Sequence, residues 1–244
     1  MTVMPLPPPE RAALFLDVDG TLLELAPRPD AVVVTDRTRA LLERAERRLA
    51  GALALVSGRP LEELDRLFSP LRLPAAGVHG LQRRDVHGRE HHAAPPPGWH
   101  ASLAPRLARF ARQHPNVVVE DKGHAIALHY RRAPELAEAA LTLAGTIADD
   151  MGPETRLLRG KMVLEFMPAG SDKGQAIEAF MGEPPYSART PVFIGDDVTD
   201  EAGFSAVNAM GGVTLRVGTI EHSHARHALP DVAGVHAWLQ SWLN

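Results

Sequence analysis

The sequence predicts an α/β fold: a core of parallel strands alternating with helices, interrupted by an inserted α+β unit. Two observations carry this reading. Short, continuously apolar runs at residues 12–16, 52–56 and 191–194, with a further strand over 213–217, alternate with segments of helical spacing, as in βαβ units whose sheet is covered on both faces. After Gly80 the pattern changes to hairpins and helices, and from Ser171 the first pattern resumes. The expected division is therefore residues 1–81 with 169–244 as the core and 82–168 as the insertion.

Each element has a local reason. The run 12–16 ends at Asp17 and is closed by Gly20, and residues 22–34, with Pro27 and Pro29, read as a loop. Residues 35–49 are a helix with Thr35 or Asp36 as its cap, stopped by Gly51. The strand 52–56 stops at Ser57-Gly58-Arg59, Pro60 suits the opening of a helix that runs to Phe68, and 75–78 is a third strand. Residues 81–93 form a hairpin turning at His87-Gly88. Helices over 99–114 and 135–151 and strands over 117–120, 125–130, 157–158 and 162–166 build the α+β unit. A helix over 173–181, a short helix over 201–207 and a closing helix over 235–243, carrying Trp238 and Trp242, complete the core.

Composition narrows the function classes. A chain of 244 residues, 45% hydrophobic and 23% charged, suits one or two globular domains. A formal net charge of -4 gives no basic footprint for nucleic acid. The absence of Cys excludes disulfides, thiolate zinc sites and Cys nucleophiles. No apolar run has the length of a membrane span, and residues 1–10, with four prolines and no basic n-region, read as a loose arm and not a signal peptide. The expectation is a cytoplasmic protein with no nucleic-acid or membrane partner; the oligomeric state is left open, a monomer being compatible with the sequence.

Four polar clusters stand at or beside the ends of core elements: Asp17 with Asp19, then Ser57, then Lys173, then Asp196 with Asp197 and Asp200. In a parallel sheet the carboxyl ends of the strands line one crevice, so these clusters converge. Asp17 there serves as nucleophile, metal ligand or base. Gathered carboxylates repel unless a cation joins them, and oxygen ligands without Cys favour Mg²⁺, which also accepts substrate phosphate. With a Ser hydroxyl and a Lys ammonium suited to an anion, the set describes phosphoryl transfer through an aspartyl-phosphate. Arg59 reads as a packing or salt-bridge residue, His91-His92 and His222, His224 and His227 as surface histidines, and Trp238 and Trp242 as core.

Asp17-Val18-Asp19-Gly20-Thr21, Ser57-Gly58-Arg59, Lys173 and Gly195-Asp196-Asp197-Val198-Thr199-Asp200 resemble the four ordered motifs of the haloacid dehalogenase (HAD) superfamily, whose core is a Rossmann-like parallel sheet. The insertion resembles its larger α/β cap. Gly77-Val78-His79-Gly80, Glu120-Asp121-Lys122-Gly123, His129-Tyr130-Arg131, Gly160-Lys161 with Glu165, and Ser171-Asp172-Lys173-Gly174 are most similar to the trehalose-6-phosphate phosphatases. The resemblance spans residues 12–210, and the usual aromatic between the first two aspartates is Val18.

The resemblance implies a Mg²⁺-dependent phosphatase acting on a small phosphosugar, with trehalose 6-phosphate hydrolysed to trehalose and phosphate. It implies Asp17 as nucleophile, Asp19 as acid and base, and Mg²⁺ on Asp17, the Asp19 carbonyl and Asp196. Asp197 and Asp200 then belong to the surroundings of the metal. It implies Ser57 on a phosphoryl oxygen, Lys173 offsetting charge, and the Gly20 N–H beside the anion. Lys122, Lys161 and Glu165 are implied at sugar hydroxyls, with His79 as a hinge residue or a sugar contact. The alternatives are a phosphatase of sucrose phosphate or another phosphosugar, a phosphomutase, and a non-catalytic module retaining the fold; the intact acidic set disfavours the last.

Overall fold

The computed structural model describes residues 6–25, 32–123, 125–160, 162–219 and 221–244. The chain forms two compact units: Met1–His92 with Asp172–Asn244, and Ala93–Ser171.

In chain order the first unit opens with β1 (Ala12–Leu16), every residue of which is buried. Part of the expected loop at 22–34 lies outside the described residues. α1 (Asp36–Arg48) starts where the Thr35 hydroxyl accepts the Thr38 N–H, buries Leu41, Leu42 and Ala45, and is followed by β2 (Leu53–Val56). α2 (Leu61–Phe68) lays Leu61, Leu64 and Phe68 inward and leads to β3 (Ala75–Gly77). β4 (Gln82–Arg84) and β5 (Glu90–His92) form the hairpin.

The second unit holds α3 (Trp99–Gln113), β6 (Val118–Asp121), β7 (Ile126–His129), α4 (Ala137–Met151), β8 (Thr155–Gly160) and β9 (Val163–Pro168). Its four strands are antiparallel in the order β6-β7-β9-β8. Ile126, Leu128, Leu164 and Phe166 share a core with Leu103 and Leu107 of α3 and Ala140, Ala144 and Ile147 of α4. The helices thus cover one face of this sheet.

The chain then returns to the first unit through α5 (Lys173–Met181), β10 (Thr190–Gly195), α6 (Glu201–Ala209), β11 (Val213–Val217), β12 (His227–Leu229) and α7 (Val232–Trp242). The sheet order is β12-β11-β10-β1-β2-β3-β4-β5, parallel from β12 to β3 and antiparallel through the hairpin. β1 is central, which is why it reads as an unbroken apolar run.

The boundary at residue 82 needs correction. The hairpin at 82–92 extends the core sheet, Gly77 pairing with Gln82, and the second unit begins at Ala93. Arg84, buried, pins it with a two-point ion pair to Asp65 of α2 at 2.7 and 2.6 Å. The far boundary moves to Asp172: beyond β9 the chain is still tied to the second unit, the Ala169 N–H donating to the Glu154 carbonyl at 2.8 Å. β12 was not expected; it is three residues long. The arm is tied down over its described part: Pro9 is buried, and the Pro7 carbonyl accepts the Trp242 indole N–H at 2.9 Å. Trp238 and Trp242 stack at 5.0 Å and pack against the core.

Candidate active site

Asp17 is the first residue beyond β1. Its N–H donates to the Ile194 carbonyl at 2.9 Å, carrying the β1–β10 ladder one step further and setting the Asp17 side chain beside the end of β10. The chain then turns tightly, with the Leu22 and Leu23 N–H groups both donating to the Val18 carbonyl. Gly20, at φ +84°, lies against Asp196: a Cβ there would stand 2.6 Å from the Asp196 Cγ. Only glycine admits both that conformation and that approach. The Thr21 hydroxyl donates to Asp196 Oδ1 at 3.1 Å. The Gly20 N–H, expected at the anion, donates instead to the Leu23 carbonyl at 2.8 Å; the tight turn consumes it.

Lys173 opens α5, which Asp172 caps by accepting the Gln175 N–H at 2.9 Å. A cation in a helix's first turn opposes the helix dipole, and here its partners compensate. Lys173 Nζ donates to Asp17 Oδ1 and to Asp200 Oδ1, both at 2.6 Å, and the side chain is buried. The other Asp200 oxygen accepts the N–H groups of Asp196 and Asp197, each at 2.9 Å. Asp197 faces outward, caps the turn that follows by accepting the Val198 N–H at 2.7 Å, and is exposed.

One carboxylate oxygen from each of Asp17, Asp196 and Asp200 lies within 4.8 Å of the others, so the three form a group able to hold a metal ion. Burial pushes Asp17 well above the usual carboxylate range; Lys173 draws it back, and the charges of Asp200 and Asp196 raise it further. Burial, then the Asp200 charge, pushes Asp196 up to about 6. Burial alone would lower the Lys173 ammonium, but Asp17 and Asp200 more than offset this and hold it above its ordinary value.

Ser57 follows β2, next to β1 in the sheet, and is buried; its Oγ accepts the Arg59 N–H at 3.1 Å. Arg59 forms a fork on Asp19, Nε to Oδ2 at 2.6 Å and Nη2 to Oδ1 at 2.7 Å, and its Nη1 donates to Glu63 at 2.9 Å. Sequence reasoning reached a salt-bridge role for Arg59 but not its partner. The signal available was spacing: Glu63 stands one helical turn after Arg59. His79 lies with its ring against Gly58.

In the second unit Lys122 Nζ donates to Glu165 Oε1 at 2.7 Å, and the His129 ring nitrogen lies 2.8 Å from Glu120. The register pairs Glu120 with Ala127 and Ala127 with Glu165, so both carboxylates belong to the same face of the sheet as Ala127, opposite Ile126 and Leu128. Lys161 lies outside the described residues, and β9 begins after it, at Val163. The exposed His91 lies 3.2 Å from Asp85, which also accepts the N–H groups of His87 and Arg89 and so organises the hairpin turn.

Comparison with known proteins shows the family and the fold. The trehalose-phosphatase family model matches residues 15–232. The trehalose-6-phosphate phosphatase of Escherichia coli is 45% identical over 228 residues, covering 93% of this chain and 85% of that protein. The C-terminal domain of the C. albicans trehalose-6-phosphate phosphatase superposes with a TM-score of 0.85 at 20% identity, covering 96% of this chain and 93% of that one. A phosphatase of the haloalkanoate (HAD) enzyme superfamily from Bacteroides thetaiotaomicron gives 0.68 at 14% identity over 99% and 98%, so the fold is HAD-like. With a model that spans most of its length and a relative this similar, the chain belongs to the trehalose-phosphatase family of hydrolases.

Proposed function

We propose that the protein is a magnesium-dependent phosphatase that hydrolyses trehalose 6-phosphate to trehalose and phosphate through an aspartyl-phosphate intermediate, in the cytoplasm. The carrying observation is the buried Asp17 carboxylate, bonded to Lys173 and crowded by Asp196 and Asp200. The substrate follows from the similarity to the Escherichia coli enzyme. The absence of Cys suits a reducing compartment, and no described helix is long and apolar enough to cross a membrane.

The donor set fits a divalent cation. Three carboxylates face one ammonium, which leaves net negative charge in a buried place, and Asp17 and Asp196 resist ionisation there. Hard oxygen donors match Mg²⁺. Asp17, the Asp19 backbone carbonyl and Asp196 would hold it, Asp200 having given its oxygens to Lys173 and to two backbone N–H groups. Bound there, the ion neutralises charge on the phosphoryl oxygens.

The protein groups divide the rest of the reaction. Asp17 attacks phosphorus with the oxygen that Lys173 does not hold; the bond from phosphorus to the sugar oxygen breaks, and Asp19 gives that oxygen a proton. Asp19 then takes a proton from water, whose oxygen attacks the aspartyl-phosphate and frees Asp17 and inorganic phosphate. Lys173 fixes the nucleophile's orientation and offsets charge. The Ser57 hydroxyl, an acceptor towards Arg59, retains its hydrogen for a phosphoryl oxygen. Lys122, Lys161 and Glu165 are assigned to the sugar hydroxyls.

The test is phosphate release from trehalose 6-phosphate, sucrose 6-phosphate and glucose 6-phosphate, with Mg²⁺ and with EDTA. It is joined to acid-quenched turnover of substrate labelled at phosphorus. The reading expects preference for trehalose 6-phosphate, loss in EDTA, and a hydroxylamine-labile label on the protein that Asp17→Asn lacks. Equal rates on all three sugars would refute the substrate, and a label on Asp17→Asn would refute the nucleophile.

A further inference from the structure

The Ser57-Gly58-Arg59 loop is clamped by a strained turn. Val78 and His79 have φ of 47° and 54°, in the left-handed region, where a β-branched residue is an outlier. Both strained residues direct their N–H groups at the loop: Val78 donates to the Arg59 carbonyl and His79 to the Ser57 carbonyl, each at 3.0 Å. The segments touch closely enough to require glycine. A Cβ on Gly77 would lie 2.7 Å from the Arg59 carbonyl oxygen, and one on Gly58 would lie 2.7 Å from the His79 ring. Strain that the surroundings hold in place clusters at functional sites, and here it fixes the backbone that carries Arg59.

The Arg59 head is fixed as firmly. It is 8% exposed, anchored on one side by Glu63 at 2.9 Å, and presents Nε and Nη2 to the two oxygens of Asp19. Asp19 itself is 30% exposed, and its side chain needs an external hold to have one orientation. A guanidinium fork sets the plane of a carboxylate at two points, which an ammonium does not do. The fork takes one lone pair from each oxygen and leaves another, so the carboxyl still exchanges a proton while its plane is held.

We propose that Arg59 is a positioning residue for Asp19: held by Glu63 and by the Val78–His79 turn, it aims the Asp19 carboxyl at the leaving sugar oxygen. This rests on the assignment of Asp19 as the acid and base. Proton transfer requires a heavy-atom approach of about 2.6–3.2 Å, and a misplacement of about 1 Å costs on the order of 10²-fold.

The experiment compares single-turnover rates on trehalose 6-phosphate, whose leaving group needs a proton, and on 4-nitrophenyl phosphate, whose leaving group does not. The variants are Arg59→Lys, Arg59→Ala, Glu63→Gln and Asp19→Asn, each checked for folding by thermal melting. Asp19→Asn is expected to lose roughly 10²-fold or more on the sugar phosphate while the nitrophenolate burst persists. Arg59→Lys is expected to show the same selectivity, with a loss of about 10–100-fold in the single-turnover rate on trehalose 6-phosphate, little change in KM and a persisting nitrophenolate burst. Arg59→Ala should regain rate with added guanidinium and not with ammonium. If the Arg59 variants do not fold, Glu63→Gln decides, with a smaller loss of the same selectivity expected. Equal losses on both substrates, a loss confined to KM, or a fully active Arg59→Lys would overturn the proposal while a selective Asp19→Asn left the acid–base assignment standing. An unselective Asp19→Asn would overturn both.

Discussion

A divalent cation should stabilise the first unit more at high pH than at low pH, by an amount set by the carboxylate cluster. Without metal, Asp196 titrates near 6, against an ordinary value of 3.8, and Asp17 is raised as well. The folded state therefore holds these protons to higher pH than the unfolded chain does. The resulting stabilisation is present at low pH and is lost as pH rises through the folded values. At about 1.4 kcal/mol per unit, the Asp196 shift from 3.8 to about 6 means that ionising it in the metal-free fold costs about 3 kcal/mol. A cation that binds the ionised cluster must displace the proton first. At about pH 5, one unit below the Asp196 value, that competition weakens binding about tenfold, and by about pH 8 it has vanished. With Mg²⁺ at ~100 times its high-pH dissociation constant, the stabilisation is about 2.7 kcal/mol at pH 8 and about half that at pH 5. In a domain of this size that difference is worth about 3–6 °C, and Asp17 adds to it. The assay is thermal melting in EDTA and in Mg²⁺ at the two pH values. An increment that is equal at both, or larger at pH 5, would refute the reasoning, and Asp196→Asn should flatten the dependence.

Three further outcomes follow from the geometry. Asp17→Asn should abolish turnover with the fold intact, checked by phosphate release and far-UV circular dichroism, and Asp19→Asn should lose roughly 10²–10⁴-fold. Lys173→Met leaves Asp17 and Asp200 buried without their shared ammonium; a loss of about 3–5 kcal/mol in urea unfolding is expected for a broken buried pair. Lys122→Ala or Glu165→Ala should lower kcat/KM for trehalose 6-phosphate by about 10-fold or more while sparing a small aryl phosphate, as loss of a charged hydrogen bond to a hydroxyl does.

The legible part of the fold is the part written in local composition. β1 is buried on both faces and so had to be continuously apolar, and that run, ending in Asp17, located the floor of the site. Lys173 stood out because a lysine opening a helix opposes the dipole and so calls for partners. The membership of the 82–92 hairpin was not legible. Any antiparallel pair has the same alternation whichever sheet it joins, and what joins this one to the core is long-range: the Gly77–Gln82 register, the buried fork of Arg84 on Asp65, and Arg83 on Glu183 at 2.8 and 3.1 Å. The Lys122–Glu165 pair bridges 43 residues of sequence and could not be read from either end.

The three aspartates after β10 show most clearly what sequence leaves undetermined. Asp196, Asp197 and Asp200 are one residue type within five positions, and each suits a metal, a cap or a salt bridge. Burial and backbone direction separate them. Asp200 is fully buried and spends both oxygens inward, one on Lys173 and one on the N–H groups of Asp196 and Asp197. It thereby fixes the loop that bears Asp196 and, through Lys173, the orientation of Asp17. Gly195 makes this possible, since a Cβ there would stand 2.7 Å from the Asp200 Cβ. Asp197, exposed, is left as a cap. Asp196 is held by Thr21 on one oxygen and pressed against Gly20, close to Asp17, where ionisation is costly without a cation. Crowding thus raises Asp17 and Asp196, the two side chains assigned to the metal, while Asp200, bonded to Lys173 and to two backbone N–H groups, serves as the fixed support for both.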